Sequence, residues 1–155
     1  MSLMRWPLFL TFPRQPDFVV GDSWNPYLRR WWIIPRNKWF NVYLHHFCKS
    51  DDDRALHDHP YWNVSILLRG RYREHMQDGT MVVRRAGNVV FRGAEAAHRI
   101  QLYTSLWGNP QRAWTIFITG PRVREWGFLC PQGWRHWRDF TSTRDAGQIG
   151  RGCDD

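Results

Sequence analysis

Cysteine is scarce in this chain of 155 residues, which contains only three. Cys48, Cys130 and Cys153 are odd in number, widely spaced and form no CxxC pair, so they predict no disulfide framework. We therefore expect reduced thiols in a cytoplasmic setting, where disulfides are rare. Cys48 and Cys130 are expected to behave as small buried apolar groups.

Long apolar runs are also missing. The opening segment MSLMRWPLFLTF is apolar, but Pro7 and Pro13 interrupt it. It is too short to span a bilayer and lacks a small-residue cleavage site, so we expect neither a membrane anchor nor a signal peptide.

Lysine is nearly absent, because arginine supplies 20 of the 22 basic side chains of a chain with net charge +8. The planar fork of arginine suits carboxylates and phosphates, which favours a small anionic substrate. Arginines on solvated faces are the alternative interpretation. Because the arginines are scattered and form no dense basic run, nucleic-acid binding is disfavoured.

Several common catalytic and nucleotide-binding motifs are absent. The chain has no GxGxxG, GxxxxGK[ST], GxSxG or HExxH pattern. No stretch keeps a helical period over three turns, whereas seven or eight short segments have the composition and alternation of strands. The sequence therefore predicts one all-β domain, an antiparallel sandwich or barrel.

Three regions are distinguished by composition. Residues 1–37 contain five prolines and are predicted to form an arm packed on the barrel, with one short helical turn from Pro26 to Arg30. Residues 38–140 carry the strands and form the barrel. Residues 141–155 have little to bury and are expected to be a disordered tail. A homodimer through an edge strand is expected for a sheet protein of this kind.

Local patterns within the barrel predict its faces and one turn. Asp78-Gly79 predicts a hairpin with a type I′ turn. Two segments alternate so that one face of each is expected to point inward: Tyr72, Glu74 and Met76 in the first; His98, Ile100 and Leu102 in the second.

Two histidines open a strand-like segment at positions i and i+2. Alternate side chains of an extended chain share a face, so His57 and His59 can chelate one ion. His98 is the best third ligand, because Ile100 and Leu102 on its face are typical core residues. The spacing alone fits a pair of surface or core histidines equally well.

The segment from His57 to His98 resembles the cupin superfamily. The first cupin motif is HxH, three or four residues, Glu, six residues and Gly; here Asn63 stands at the Glu position and Gly70 at the Gly position. The second motif begins at Gly87 and ends at His98, although Gly93 and Glu95 replace its usual Pro and Gly.

The resemblance implies a double-stranded β-helix, or jelly-roll barrel, with one divalent metal ion held by His57, His59 and His98. Asn63 would be at most a weak ligand, because its amide oxygen is neutral. Some cupin thiol and ring-cleaving dioxygenases use three-histidine iron. By this resemblance iron is preferred, with zinc, manganese and nickel as alternatives.

The expected function is that of a small-molecule dioxygenase-type oxidoreductase that takes an anionic substrate. Two alternatives stay open: a non-catalytic module that binds a ligand or a partner, and a metal-dependent sugar isomerase or epimerase.

Other residues have two interpretations each. Glu74 is expected on a buried face, either in a catalytic role or in an ion pair with an arginine. Arg54 can reach a substrate carboxylate or pair with the acidic run 51–53, which itself is typical of a solvated turn. Trp62 is expected to line the pocket, as are Phe91 and Trp114. Asp58 faces away from the two histidines and is expected to order its loop.

Overall fold

The computed structural model describes residues 14–51, 55–142 and 150–154. Arg54, Asp52 and Asp53 lie outside these ranges, as does the part of the expected arm from residue 1 to 13. No helix within the described ranges is long and apolar enough to cross a membrane.

Twelve strands and one short helix make up the described part of the chain. In chain order they are β1 (Phe18–Gly21), β2 (Pro26–Trp32), β3 (Asn41–Phe47), β4 (Leu56–His57), β5 (Asn63–Arg69), β6 (Arg71–Met76), β7 (Met81–Arg85), β8 (Val89–Arg92), β9 (His98–Leu102), β10 (Ala113–Thr119), β11 (Gly127–Cys130), β12 (Gly133–His136) and α1 (Trp137–Phe140).

The strands form two six-stranded antiparallel sheets. The first has the order β1-β2-β3-β10-β5-β8, and the second has the order β12-β11-β4-β9-β6-β7. Consecutive strands often lie in different sheets, so the chain alternates between the two layers. This arrangement confirms the all-β prediction and places the strands that carry the histidines, β4 and β9, side by side in the second sheet.

The core lies between the sheets and follows from strand alternation. Every second side chain of β5, β6, β9 and β10 is buried, as expected when one face of each strand meets the opposite sheet. The larger apolar cluster takes residues from both layers: Leu28, Phe47, Leu67, Tyr72, Ile100, Leu102 and Ala113.

The expected helical turn from Pro26 to Arg30 is wrong, because this segment belongs to strand β2. It pairs with β3, with Trp31 opposite Leu44, and β1 pairs with β2 at the edge of the sheet. Pro26 is the first residue of the strand, a position where a missing amide hydrogen costs no internal ladder bond. The expected arm therefore contributes two strands to the first sheet.

The predicted hairpin at Asp78-Gly79 joins β6 to β7, but its turn is not type I′. A type I′ turn requires positive φ at both central residues. Among the described residues only glycines have positive φ, and here it is Gly79 at +82°. The amide of Gly79 donates to the carbonyl of Met76 at 3.1 Å, which closes a tight turn before the glycine.

The expectation of three reduced thiols is wrong. Cys130 in β11 forms a disulfide with Cys153, whereas Cys48 is buried and free as expected. The amide of Gly152 also donates to the carbonyl of Phe140 at 2.9 Å, so residues 150–154 are fastened to the second sheet. The cytoplasmic setting stays a prediction, and this disulfide is unusual for it.

Asp58 anchors the loop between the two HxH histidines, as predicted. Its carboxylate is buried and accepts hydrogen bonds from the amide of Gly127 at 2.8 Å and from the indole Nε1 of Trp134 at 2.9 Å. It also forms an ion pair with Arg124. These contacts fix the HxH segment against β11 and β12.

Cys153→Ser is expected to lower the free energy of unfolding by about 3 kcal/mol, because the disulfide closes a loop in the unfolded chain. The loop spans a sequence separation of 23 residues. Chemical denaturation of both proteins measures the difference. Under reducing conditions the wild type should be no more stable than the variant. If the two free energies of unfolding still differed there, the disulfide would not be the cause of the difference.

Asp58→Asn is expected to lower the free energy of unfolding by about 2 kcal/mol, because it removes the charge from a buried acceptor of three donors. Glu125→Gln is the matched control, since Glu125 pairs with Arg122 and His136 at the exposed surface. The control should keep the thermal midpoint of the wild type. Equal losses in both variants would contradict a special role for Asp58.

Candidate metal centre

The register of the second sheet brings two of the histidines together. His57 of β4 and His98 of β9 are directly opposite each other in an antiparallel pair. Side chains at such positions stand next to each other on one face. His59 lies two residues beyond His57 and returns to the same face, so all three imidazoles converge between the sheets.

The three rings have the geometry of a metal-binding group. One ligand nitrogen from each histidine lies within 4.8 Å of the others, and the Nε2 atoms of His59 and His98 are 3.0 Å apart. Two nitrogens bound to one ion at about 2.1 Å are separated by roughly 3–3.5 Å, so small side-chain shifts suffice to hold it. The three histidines can therefore bind one metal ion.

A buried carboxylate stands behind His98. The Nδ1 atom of His98 is 2.8 Å from Oε1 of Glu74, whose side chain has no exposed surface. The angles of this contact are not those of a hydrogen bond, but a hydrogen on Nδ1 faces the carboxylate and leaves Nε2 with a free lone pair toward the other histidines. Such a carboxylate fixes the tautomer and the ring orientation of a metal ligand.

Two arginines hold Glu74 in its charged form. Nε of Arg84 donates to Oε2 at 2.6 Å and Nε of Arg92 donates to Oε1 at 2.7 Å. Burial alone would raise the pKa of Glu74, but the close contact with His98 and the charge of Arg92 outweigh it and hold this pKa far below its usual range. The ion pair with arginine expected for Glu74 is present.

Burial keeps His57 and His59 in the neutral form. It lowers the pKa of His57 to about 4, although Asp51 opposes the shift, and it lowers the pKa of His59 well below the usual range. Neutral imidazole is the form that binds a metal ion, because its lone pair is free.

Asp51 differs from the solvated turn expected of it. Its side chain is buried, with Oδ2 3.6 Å from Nδ1 of His57. It accepts hydrogen bonds from the hydroxyl of Tyr27 and from the amide of Ile100 at 2.6 Å. Asp51 therefore places a negative charge behind His57, as Glu74 does behind His98.

Three other side chains predicted to lie near the histidines have different surroundings. Asn63 is fully buried, and its Oδ1 is 3.4 Å from NH1 of Arg92. Trp62 does not line the interior: it is 38% exposed and stacks on the outward ring of Phe91, 6.2 Å away. Trp114 likewise lies on the outer face, where it stacks on Trp31 and His46.

The sequence patterns do not predict the arginines and Asp51 that surround the site. The signal for Arg92 is present in the alternation of β8, where Val90 and Arg92 share the inward face. A charged residue on an inward face needs a partner, and Glu74 was already expected on one. Asp51 had no such signal, because an acidic triplet in a loop is typically solvated.

A scan of protein-family models and a search of curated proteins found no match to the chain. A search of solved structures found similar folds. One is a protein from Klebsiella pneumoniae subsp. pneumoniae MGH 78578 with a double-stranded β-helix domain, at 16% identity and a TM-score of 0.52 over 71% of this chain and 90% of that one.

A second similar structure comes from Ralstonia eutropha JMP134. It is described as a "putative mannose-6-phosphate isomerase" and matches at 14% identity and a TM-score of 0.51, over 68% of this chain and 92% of that chain. At such low identity the similarity concerns the fold. The chain has the double-stranded β-helix fold that its resemblance to the cupins implies.

Proposed function

We propose that the protein is a metal-dependent oxidoreductase of the dioxygenase type, which acts on a small anionic molecule. The observation that carries the proposal is the convergence of three imidazoles between the sheets without a carboxylate among them. Glu74, the nearest buried carboxylate, is turned away by its bonds to two arginines and to the far nitrogen of His98.

Three neutral ligands leave the charge of a divalent ion uncompensated and leave coordination positions open. This favours an anionic substrate over a neutral one. Iron is our preferred metal, with zinc, manganese and nickel as alternatives, because imidazole binds all of them. A bound iron would supply one-electron chemistry and a place to bring substrate and dioxygen together.

The residues of this chain orient the ligands and shield them from water. Glu74 and Asp51 place carboxylates next to the Nδ1 atoms of His98 and His57, at 2.8 and 3.6 Å. Phe117 packs against the ring of His59 at 5.8 Å, and Tyr61 stacks on the same ring at 6.2 Å. These rings form an apolar wall, and a dry pocket strengthens every electrostatic interaction within it.

A homodimer stays a prediction. The edge strand β8 of the first sheet supplies a surface for it, because Val89 and Phe91 are 65% and 68% exposed. An exposed apolar edge strand is a common pairing surface.

The double variant His57→Ala, His59→Ala is expected to lose the metal that the wild type carries at about one ion per chain, because one histidine cannot hold a divalent ion alone. Elemental analysis of both purified proteins measures this. His75→Ala is the matched control. His75 points to the other face of the second sheet, where it contacts Gln101 of β9, so this variant should keep the metal content of the wild type.

Oxygen consumption by the loaded protein tests the reaction class. Iron with substrate-dependent oxygen uptake supports the proposal. Zinc or nickel with turnover of a sugar and no oxygen uptake would indicate an isomerase or epimerase. A metal-free protein that still binds its ligand would indicate a binding module and contradict the proposal.

Glu74→Gln is expected to weaken metal binding by about 10- to 100-fold, because the amide orients and polarises His98 less well than a carboxylate. Competition with a chelator measures the affinity. Arg84→Gln is the control: it removes a partner of Glu74 but leaves the contact with His98 in place. If both variants lose stability equally while metal affinity stays at the wild-type value, the role of Glu74 is structural only.

A further inference from the structure

A second polar group lies on the inward face of the first sheet, apart from the three histidines. His45 of β3 is 3% exposed, and its Nε2 lies 2.8 Å from Nε of Arg30. The Nε of an arginine always carries hydrogen and can only donate. Nε2 of His45 must therefore accept, which places the hydrogen of the neutral ring on Nδ1.

This Nδ1–H group has no hydrogen-bond partner among the described residues, and neither has the hydroxyl of Thr115. Thr115 of β10 is directly opposite His45 in the sheet, so both unpartnered groups are on one face of neighbouring strands. Buried polar groups are nearly always paired in folded proteins. Nδ1–H of His45 and the hydroxyl of Thr115 are therefore free to donate to a ligand on this face.

Arg30 supplies positive charge next to this pair. It is half-buried, and within the described residues it forms no ion pair; its carbon Cζ lies 4.8 Å from the ring centroid of Tyr43. Since Nε is used by His45, the two terminal nitrogens remain for a ligand. A guanidinium fork binds a carboxylate through two parallel hydrogen bonds.

Aromatic rings connect this group to the three histidines. The ring of His45 stacks on Phe117 at 4.8 Å, and Phe117 lies 5.8 Å from the ring of His59. Phe117 therefore links His45 to the three histidines through ring contacts. Flat rings favour contact with a planar apolar body over a bulky polar one.

We propose that Arg30, His45 and Thr115 form a carboxylate subsite for a small planar acid, an aromatic or unsaturated carboxylate whose body stacks on Phe117 next to the histidines. Both Arg30 and His45 donate, which selects an anion over a cation. Burial and the charge of Arg30 lower the pKa of His45 well below its usual range, so its donor pattern persists at neutral pH.

This inference rests on the proposed function, because it names the substrate class of the same interior. The test uses benzoate as the probe and isothermal titration calorimetry on the protein with the metal it carries. Benzamide, which has the same shape without the charge, and inorganic phosphate are titrated in parallel. Elemental analysis of each sample separates metal loss from loss of the subsite.

Benzoate is expected to bind the wild type, and Arg30→Gln to weaken it by about tenfold or more, as for loss of a charge-assisted bond. Arg30→Lys should recover only part of this, because it keeps the charge but lacks the fork. His45→Phe, which keeps the ring stack, should weaken benzoate by about fivefold. Arg122→Gln, an exposed arginine paired with Glu125, should match the wild type.

Benzoate binding that ignores Arg30→Gln in a folded, metal-loaded protein would overturn the subsite. Equal binding of benzamide, or preferential binding of phosphate, would also overturn it. Binding of benzoate that depends on Arg30 in a protein that carries no metal would leave the subsite standing while the proposed function fails. Should His45→Phe not fold, the comparison of Arg30→Gln with Arg30→Lys still decides.

Discussion

The buried carboxylate of Glu74 is the group on which the interior of this protein depends. A single negative charge without exposed surface is costly unless it is compensated, and here two arginines and one histidine share it. These partners come from β7, β8 and β9, so the charge network joins both sheets. Removing Glu74 would leave Arg92 buried without its counterion and His98 without its orienting acceptor.

Strand alternation made the centre of the site predictable from sequence. It placed Glu74 in β6 and His98 in β9 on inward faces, and the structure confirms both positions. Strand alternation does not predict which strands pair with each other in a sheet. The contact between Arg30 and His45 depends on β2 entering the first sheet, and the prolines of that region argued against a strand. The disulfide between Cys130 and Cys153 likewise depends on residues 150–154 returning to β11, which alternation does not predict.

The chemistry of the interior is divided between the two layers. The second sheet carries the histidines and the carboxylates behind them, whereas the first sheet carries donors and aromatic rings. Phe117 stands at the boundary, in contact with both His45 and His59. A substrate between the layers would therefore meet the imidazoles on one side, and hydrogen-bond donors with aromatic rings on the other. This division is consistent with the small, charged and planar substrate that we propose.

The register between β4 and β9 has a consequence for assembly of the protein. Strand β4 has only two residues, and the cross-strand pair of His57 with His98 is its contact with β9. A slip of one position would turn the imidazole of His57 to the opposite face. An ion bound by all three rings would therefore favour the correct alignment over its neighbours, so that metal binding would also stabilise the register of this sheet.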